Sequence, residues 1–169
     1  MDFKDLAARY FLMIALGLFI GIFYIVFLPL TLYPLYFLLK IFFTASLSAN
    51  IITANGISIE IIDACVAGSA YFLLLILNFS TPKIKFRKRM MLLAIDFSAF
   101  LLFNIIRIFI LSVLLVNGSI FFDLIHLIFF YAVSVLLVVL IWIITAKIFE
   151  IKKIPFVSDI TLLYRKARK

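Results

Sequence analysis

The chain has little of what metal sites and disulfides require. It contains one cysteine and one histidine in 169 residues, with only five glycines and four prolines. A single cysteine excludes an internal disulfide, and a single histidine argues against a metal site built from several histidines. Charged residues make up only 14% of the sequence. We therefore expect no metal ion, and the cysteine chemistry considered below needs no organic cofactor either.

Apolar side chains dominate what is present. They account for 67% of the sequence, which includes 21 phenylalanines, and mean hydropathy is +1.32. Soluble domains are about 45–50% apolar by a similar count. The composition predicts an all-α, polytopic bundle of membrane helices, with residues 1–169 forming a single integral membrane domain.

The net charge of +8 is concentrated in two places, the segment 83–89 and the tail 147–169. Basic clusters beside apolar runs set the orientation of membrane spans and meet anionic lipid head groups. No basic surface with interleaved aromatic residues accompanies them, so nucleic-acid binding is not expected. By the same rule, both basic segments should be cytoplasmic.

Hydropathy predicts about five membrane spans. The apolar runs are 11–30, 35–47, 65–79, 90–116 and 123–144. The first is placed like a signal peptide, but its length and the lack of a convincing cleavage site favour a retained span. Pro29 and Pro34 predict a break between the first two runs. Residues 1–50 would then form the N-terminal spans, 51–146 a core and 147–169 a basic tail.

Residues 48–63 differ from the apolar runs around them. β-branched side chains flank the pair Asn55-Gly56, which favours a hairpin turn. Within 57–61, isoleucines alternate with polar residues, which is the periodicity of a strand. We expect a small extended element at the membrane surface, just before the third span.

Arg107 is a charged residue inside the fourth apolar run, where a charge is energetically unfavourable. No acidic residue lies within ten positions of it, and an arginine inside a membrane helix costs at least about 2.5 kcal/mol. With both basic segments cytoplasmic, Cys65 and His126 lie at the outer ends of the third and fifth spans, and Arg107 lies in the outer half of the fourth. Two spans before Cys65 would place the N-terminus outside, and one would place it inside.

These three residues allow a simple interpretation and a chemical one. A lone membrane cysteine is most often a small packing residue, and an isolated histidine at a span end is most often an interfacial polar group. The chemical interpretation joins a Cys65 thiolate nucleophile, a supporting charge from Arg107 and a proton-shuttling His126. Their predicted meeting at one membrane depth favours the chemical interpretation.

Three polar neighbours have defined places in this scheme. Asn104 lies three residues before Arg107 on the same helix face. It would make a helix-packing hydrogen bond, position Arg107, or donate to a substrate carbonyl. Asp123 lies three residues before His126 and would orient the imidazole. Asp96 lies about 16 Å from Arg107 along the helix, so we expect it to make a polar contact in the bundle interior.

The ordered set of residues resembles the exosortase/archaeosortase family of membrane transpeptidases. The resemblance covers about residues 51–142 and rests on Cys65-Val-Ala-Gly68, Asn104-Ile-Ile-Arg107 and His126 at the start of the next span. Many members have Cys-Ser-Gly where this chain has Cys-x-x-Gly, and many have a glycine four residues after the histidine. These departures and the small number of spans favour a compact, archaeosortase-like member.

The resemblance implies an activity and a set of partners. Such enzymes cleave secreted proteins that carry a C-terminal sorting signal, at the extracytoplasmic face and through a thioester. The new C-terminus then passes to an amine on a membrane lipid or glycolipid. The resemblance makes Cys65, Arg107 and His126 catalytic, and Asn104 and Gly68, which belong to its motifs, supporting residues. Asp123 is a further supporting residue because of its place beside His126.

Two other classes of protein stay open. A small membrane transporter or channel subunit would use Arg107 to bind an anion, although the inner half of the bundle offers little polarity beyond Asp96. A non-catalytic assembly subunit would pair Arg107 with an acidic residue of a partner helix.

Overall fold

The computed structural model describes residues 20–81 and 84–151, together with Phe11, Ile14, Ala15, Gly17 and Leu18. The basic tail from residue 152 onward lies outside the described residues. The predicted span 11–30 is described only in part, and a turn at Leu18 and Ile20 precedes its second half. That run is therefore not one uninterrupted helix.

Four helical spans among the described residues are long and apolar enough to cross a membrane, which is consistent with a membrane protein. The first is α1 (Gly21–Phe42), and the third is α4 (Phe86–Val116). The second joins two helices, α2 (Asp63–Val66) and α3 (Gly68–Ser80). The fourth runs through α5 (Phe122–Ile128), a π-helical segment (Phe129–Val133) and α6 (Ser134–Ile148).

The break predicted at the two prolines is wrong. Helix α1 runs through both Pro29 and Pro34 without interruption. Proline removes a backbone hydrogen bond, but membrane helices tolerate it because neighbouring groups satisfy the freed carbonyls. The apolar run 35–47 is instead divided between the end of α1 and the first strand, so it forms no separate span. The predicted count of five spans is not confirmed.

The predicted extended element is confirmed as a three-stranded antiparallel sheet in the order β1 (Ala45–Ser48), β2 (Ile51–Ala54) and β3 (Ile57–Glu60). The turn between β2 and β3 has φ of 48° at Asn55 and 83° at Gly56. Positive φ at both central residues is the geometry of the hairpin turn that an Asn-Gly pair favours.

The two faces of the sheet differ in polarity. The cross-strand row Leu47, Ile52 and Ile59 belongs to the hydrophobic core or packs against it. The neighbouring row Ser46, Thr53 and Ser58 carries hydroxyl groups on the opposite face. This alternation fixes the register, because a slip of one residue would turn the apolar row away from the core. The sheet therefore lies on the bundle as a small cover.

Aromatic packing holds three spans together below the sheet. The fully buried ring of Tyr71 in α3 stacks on Phe27 of α1 with a centroid distance of 3.6 Å. The same ring meets Phe97 and Phe100 of α4 edge-on, at 5.5 and 4.9 Å. Such rings contribute large buried area and a preferred mutual geometry. The relative rotation of α1, α3 and α4 is fixed around this tyrosine.

Basic side chains fasten the helix ends at the other end of the bundle. Arg89 donates to the carbonyl of Asn78 and, at 2.9 Å, to that of Thr81, both near the C-terminus of α3. Lys88 donates to the carbonyl of Phe149, just after α6. Cations are favoured at helix C-termini, where unpaired carbonyls and the helix dipole attract them. We call this the basic end and the opposite one the sheet end.

Candidate functional site

The site is built on an interruption of the second span. Ala67 separates α2 from α3 and has the left-handed conformation, with φ 56° and ψ 44°. A non-glycine residue rarely adopts this conformation within a helical stretch. Because the helix is interrupted here, the carbonyls of Cys65 and Val66 accept hydrogen bonds from side chains of α4.

Asn104 of α4 fastens this interrupted segment. Its Nδ2 donates to the carbonyl of Cys65 at 2.9 Å and lies 3.5 Å from the carbonyl of Val66. The side chain is only 1% exposed, so water does not compete for these bonds. The prediction that Asn104 shares a helix face with Arg107 is confirmed, since both side chains reach the Cys65 carbonyl.

Arg107 links the Cys65 segment to the last span. One guanidinium arm, Nη2, donates to the carbonyl of Cys65 at 3.3 Å, and the other, Nη1, donates to Ser134 Oγ at 2.5 Å. The Ser134 hydroxyl in turn donates to the carbonyl of Phe129 at 2.8 Å, across the π-helical segment. A planar fork with several fixed donors suits such a bridge, whereas a lysine offers one point charge.

Several polar groups around Arg107 have unused bonding capacity. Arg107 Nε, Asn104 Oδ1 and the Tyr71 hydroxyl are buried and have no hydrogen-bond partner among the described residues. Tyr71 and the Cys65 thiol both lie within electrostatic range of the Arg107 guanidinium. Unsatisfied groups in an apolar interior are costly, so a cluster of them needs an explanation. A ligand carrying both donors and acceptors would satisfy them.

Cys65 itself is half-buried and forms no disulfide among the described residues. It packs against the hydrophobic core, while its backbone carbonyl carries the contacts with Asn104 and Arg107. Arg107 therefore positions the segment that carries the thiol rather than bonding to the thiol. The predicted meeting of Cys65 with Arg107 occurs through the backbone.

His126 and Asp123 lie elsewhere in this arrangement. The His126 ring is exposed and stacks on Phe122 at a centroid distance of 5.5 Å, with Phe130 at 6.5 Å. It precedes Ser134 by eight residues, which is about 12 Å along a helix. Among the described residues, neither Cys65 nor Arg107 bonds to His126, and Asp123 makes no hydrogen bond with it. The catalytic role of His126 stays a prediction.

Gly68 acts through close packing. A methyl group added at this position would stand 2.8 Å from the ring of Tyr24 in α1, which is far inside ordinary contact distance. The glycine therefore lets α1 approach the start of α3 directly beside the Cys65 segment. This geometry suits the supporting role predicted for Gly68.

Asp96 is fully buried in α4, as predicted for a polar residue of the bundle interior. Thr145 of α6 lies beside it, but the Thr145 hydroxyl is directed to the carbonyls of Ile141 and Trp142, at 3.0 and 3.1 Å. Neither carboxylate oxygen has a hydrogen-bond partner of ordinary geometry among the described residues. Asp96 is separate from the contacts around Arg107.

Two residues of the site were missed by the sequence reasoning. Ser134 accepts the second hydrogen bond of the Arg107 guanidinium. Its hydroxyl stands in an otherwise apolar run, and that could have pointed to it in the sequence. Tyr71 supplies an unfilled hydroxyl, but nothing in its sequence context separates it from a packing residue.

Three comparisons of this chain with known proteins gave no match. No protein-family model matches it, and no curated protein and no solved structure matches it either. What the site does is therefore inferred from its own residues.

Proposed function

We propose that this protein is a membrane-embedded cysteine transpeptidase of the exosortase/archaeosortase kind. It would cleave C-terminal sorting signals of secreted proteins at the extracytoplasmic face and pass them to an amine on a membrane lipid or glycolipid. The observation that carries the proposal is the double anchoring of the Cys65 carbonyl by Asn104 and Arg107, beside buried polar groups with unused bonding capacity.

The anchoring supports a nucleophile held in one orientation. Two donors from α4 fix the backbone of Cys65, so the thiol is presented from a rigid segment rather than from a mobile loop. Catalytic groups act best when their geometry is fixed before the substrate arrives. A packing cysteine would need neither donor, because its carbonyl would be satisfied within a continuous helix.

Arg107 has the features of an oxyanion donor. Its Nε is buried and unfilled, and the 3.3 Å bond from Nη2 to the Cys65 carbonyl is longer than the usual N–H···O distance. A tetrahedral oxyanion would accept a charge-assisted hydrogen bond from this guanidinium. In an apolar site such a preorganised donor is worth far more than in water.

The proposed reaction has two steps. The Cys65 thiolate attacks the scissile carbonyl, the C–N bond breaks, and His126 gives a proton to the leaving amine, which forms a thioester. The acceptor amine then attacks the thioester, His126 takes its proton, and the Cys65 thiolate leaves. The general acid serves the departing nitrogen, so it does not need to contact the thiol.

The proposed orientation of the protein in the membrane rests on where its basic residues lie. The basic end, where Lys88 and Arg89 hold helix C-termini, would face the cytoplasm, and the sheet end with Cys65 would face outward. A substrate that has been exported would then meet Cys65 while its own C-terminal helix stays in the membrane. The partners would be that substrate and the lipid-borne amine.

The test compares C-terminal peptides of membrane and secreted proteins from cells producing the wild type or Cys65→Ala. Proteins that lose their hydrophobic tail in wild-type cells should keep it in the Cys65→Ala cells. Ser69→Ala is the matched control, because Ser69 is exposed in the same segment, and it should process normally. Unchanged C-termini in the Cys65→Ala cells would remove the proposal.

A second candidate, a small transporter or a non-catalytic assembly subunit, is favoured by the unfilled Nε of Arg107. An anion or a carboxylate from a partner helix would fill that donor equally well. As an assembly subunit, the protein would tolerate Cys65→Ala and lose its complex with Arg107→Ala. As a transporter, it would carry anions in proteoliposomes.

A further inference from the structure

Strand β3 has a free edge whose hydrogen-bonding groups can be assigned. The two-residue turn Asn55-Gly56 makes Ala54 and Ile57 a hydrogen-bonded pair, and pairing alternates from there along the strands. The N–H of Ile61 donates to the carbonyl of Asn50 at 2.9 Å, which continues the same alternation. The N–H and C=O groups of Ser58 and Glu60 therefore point away from β2.

This edge is open and held in shape. Among the described helices and strands, only β2 packs extensively against β3. The side chains of Ser58 and Glu60 are exposed. The end of the strand is fixed by Asn50, whose Nδ2 donates to the carbonyl of Ile61 at 3.3 Å and to Glu60 Oε1 at 3.4 Å. An open strand edge with rigid, unpaired backbone groups is a template for another extended segment.

We propose that an extended segment of the substrate adds to the free edge of β3 as a fourth strand. This inference rests on the proposed function and specifies how the substrate is recognised: by its backbone, through Ser58 and Glu60. In strand addition, main-chain hydrogen bonds supply the affinity, and only every second side chain of the bound segment contributes to specificity.

The position of β3 in the chain favours this edge over that of β1. Glu60 precedes Cys65 by five residues, so a peptide paired with β3 is led directly to the thiol. Strand β1 instead follows α1 and packs against it. The carboxylates of Glu60 and Asp63 are exposed beside the path, so the paired segment should be uncharged or basic rather than acidic.

Three single substitutions test the edge. Ser58→Pro removes the outward N–H, and it spares the pairing with β2, because proline is tolerated where the N–H faces away from the sheet. Ser58→Ala removes the hydroxyl alone. Ala45→Pro makes the matching change at the outward position of β1. The probe is a secreted reporter with the C-terminal tail of a protein that Cys65→Ala cells leave uncleaved.

Ser58→Pro should raise KM for this reporter at least about fivefold, which corresponds to one lost hydrogen bond of about 1 kcal/mol. Ala45→Pro should stay within about twofold of the wild type, Ser58→Ala separates loss of the hydroxyl from loss of the N–H, and all three should keep the wild-type melting temperature. A folded Ser58→Pro protein with the KM of Ser58→Ala would overturn the inference.

A second measurement covers the case in which Ser58→Pro does not fold. A photoreactive benzoyl-phenylalanine in place of Glu60 should cross-link the reporter, whereas the same residue in place of Ser46 on β1 should not. Equal cross-linking at both positions, or none at Glu60, would contradict strand addition. Failure of the proposed function is recognised separately, because it would appear as identical C-termini in wild-type and Cys65→Ala cells, whatever the substitutions at Ser58 do.

Discussion

Replacing Arg107 by lysine separates a bridging guanidinium from a simple positive charge. The arginine uses two different nitrogens, one on the Cys65 carbonyl at 3.3 Å and one on Ser134 Oγ at 2.5 Å. A lysine has the charge but a single ammonium group, so it cannot reproduce both arms of the fork. The substitution should therefore release either the Cys65 segment or the last span.

The size of the effect follows from the bond that is lost. A hydrogen bond involving a charged group contributes about 1.5–3 kcal/mol. If that contribution acts in the transition state, Arg107→Lys lowers kcat/KM by about 10- to 150-fold. The assay is the rate of reporter cleavage by purified protein in lipid vesicles, with the melting temperature measured on the same samples.

Ser134→Ala completes a double-mutant cycle. Alone it removes the partner of Nη1 and should lower activity in the same way as Arg107→Lys. In the Arg107→Lys background it should add little, because residues that share one interaction are not additive. Full activity of Arg107→Lys, or strict additivity with Ser134→Ala, would refute the bridge and leave Arg107 as a point charge.

Three further predictions address stability and orientation. Asn104→Leu should lower the free energy of unfolding, measured in detergent, by about 1–2 kcal/mol, because two backbone carbonyls lose a buried donor. An unchanged free energy of unfolding would remove the anchoring role of Asn104. Gly68→Ala should destabilise the protein by about 1–3 kcal/mol, because the new methyl group meets a tyrosine ring of α1. Gly21→Ala is the control: its methyl group meets nothing within 4 Å, so it should not lower the melting temperature. A membrane-impermeant maleimide should label Cys65 in intact cells, but Lys147→Cys in a Cys65→Ala chain only after permeabilisation; the reverse pattern would invert the proposed topology.

The sequence identified the last three spans because each is a long apolar run bounded by charged or turn residues. Met90 to Val116 and Asp123 to Ile144 lie within the helices that form. The two prolines misled the assignment of the N-terminal half, since proline breaks helices in water but is accommodated in membrane helices. The hairpin was predictable because Asn-Gly specifies its own turn.

The contacts of the site were less predictable than its residues. Spacing placed Asn104 and Arg107 on one face, but which backbone group they bind depends on the left-handed break at Ala67. Alanine has no local preference for that conformation, so only packing can impose it. The contact between Arg107 and Ser134 depends on how the last span is rotated about its axis relative to α4. The pattern of apolar residues within one span does not determine that rotation.

The proposed function requires that Cys65 carry the cleaved substrate as a thioester. Because the chain has one cysteine, any such adduct has a single site. Purified protein is mixed with the reporter, quenched in acid and analysed by intact mass before and after neutral hydroxylamine. We predict a wild-type adduct equal to the cleaved reporter, mapped to Cys65 and released by hydroxylamine. Cleavage of the reporter without any adduct at Cys65, or equal cleavage by Cys65→Ala, would contradict the account.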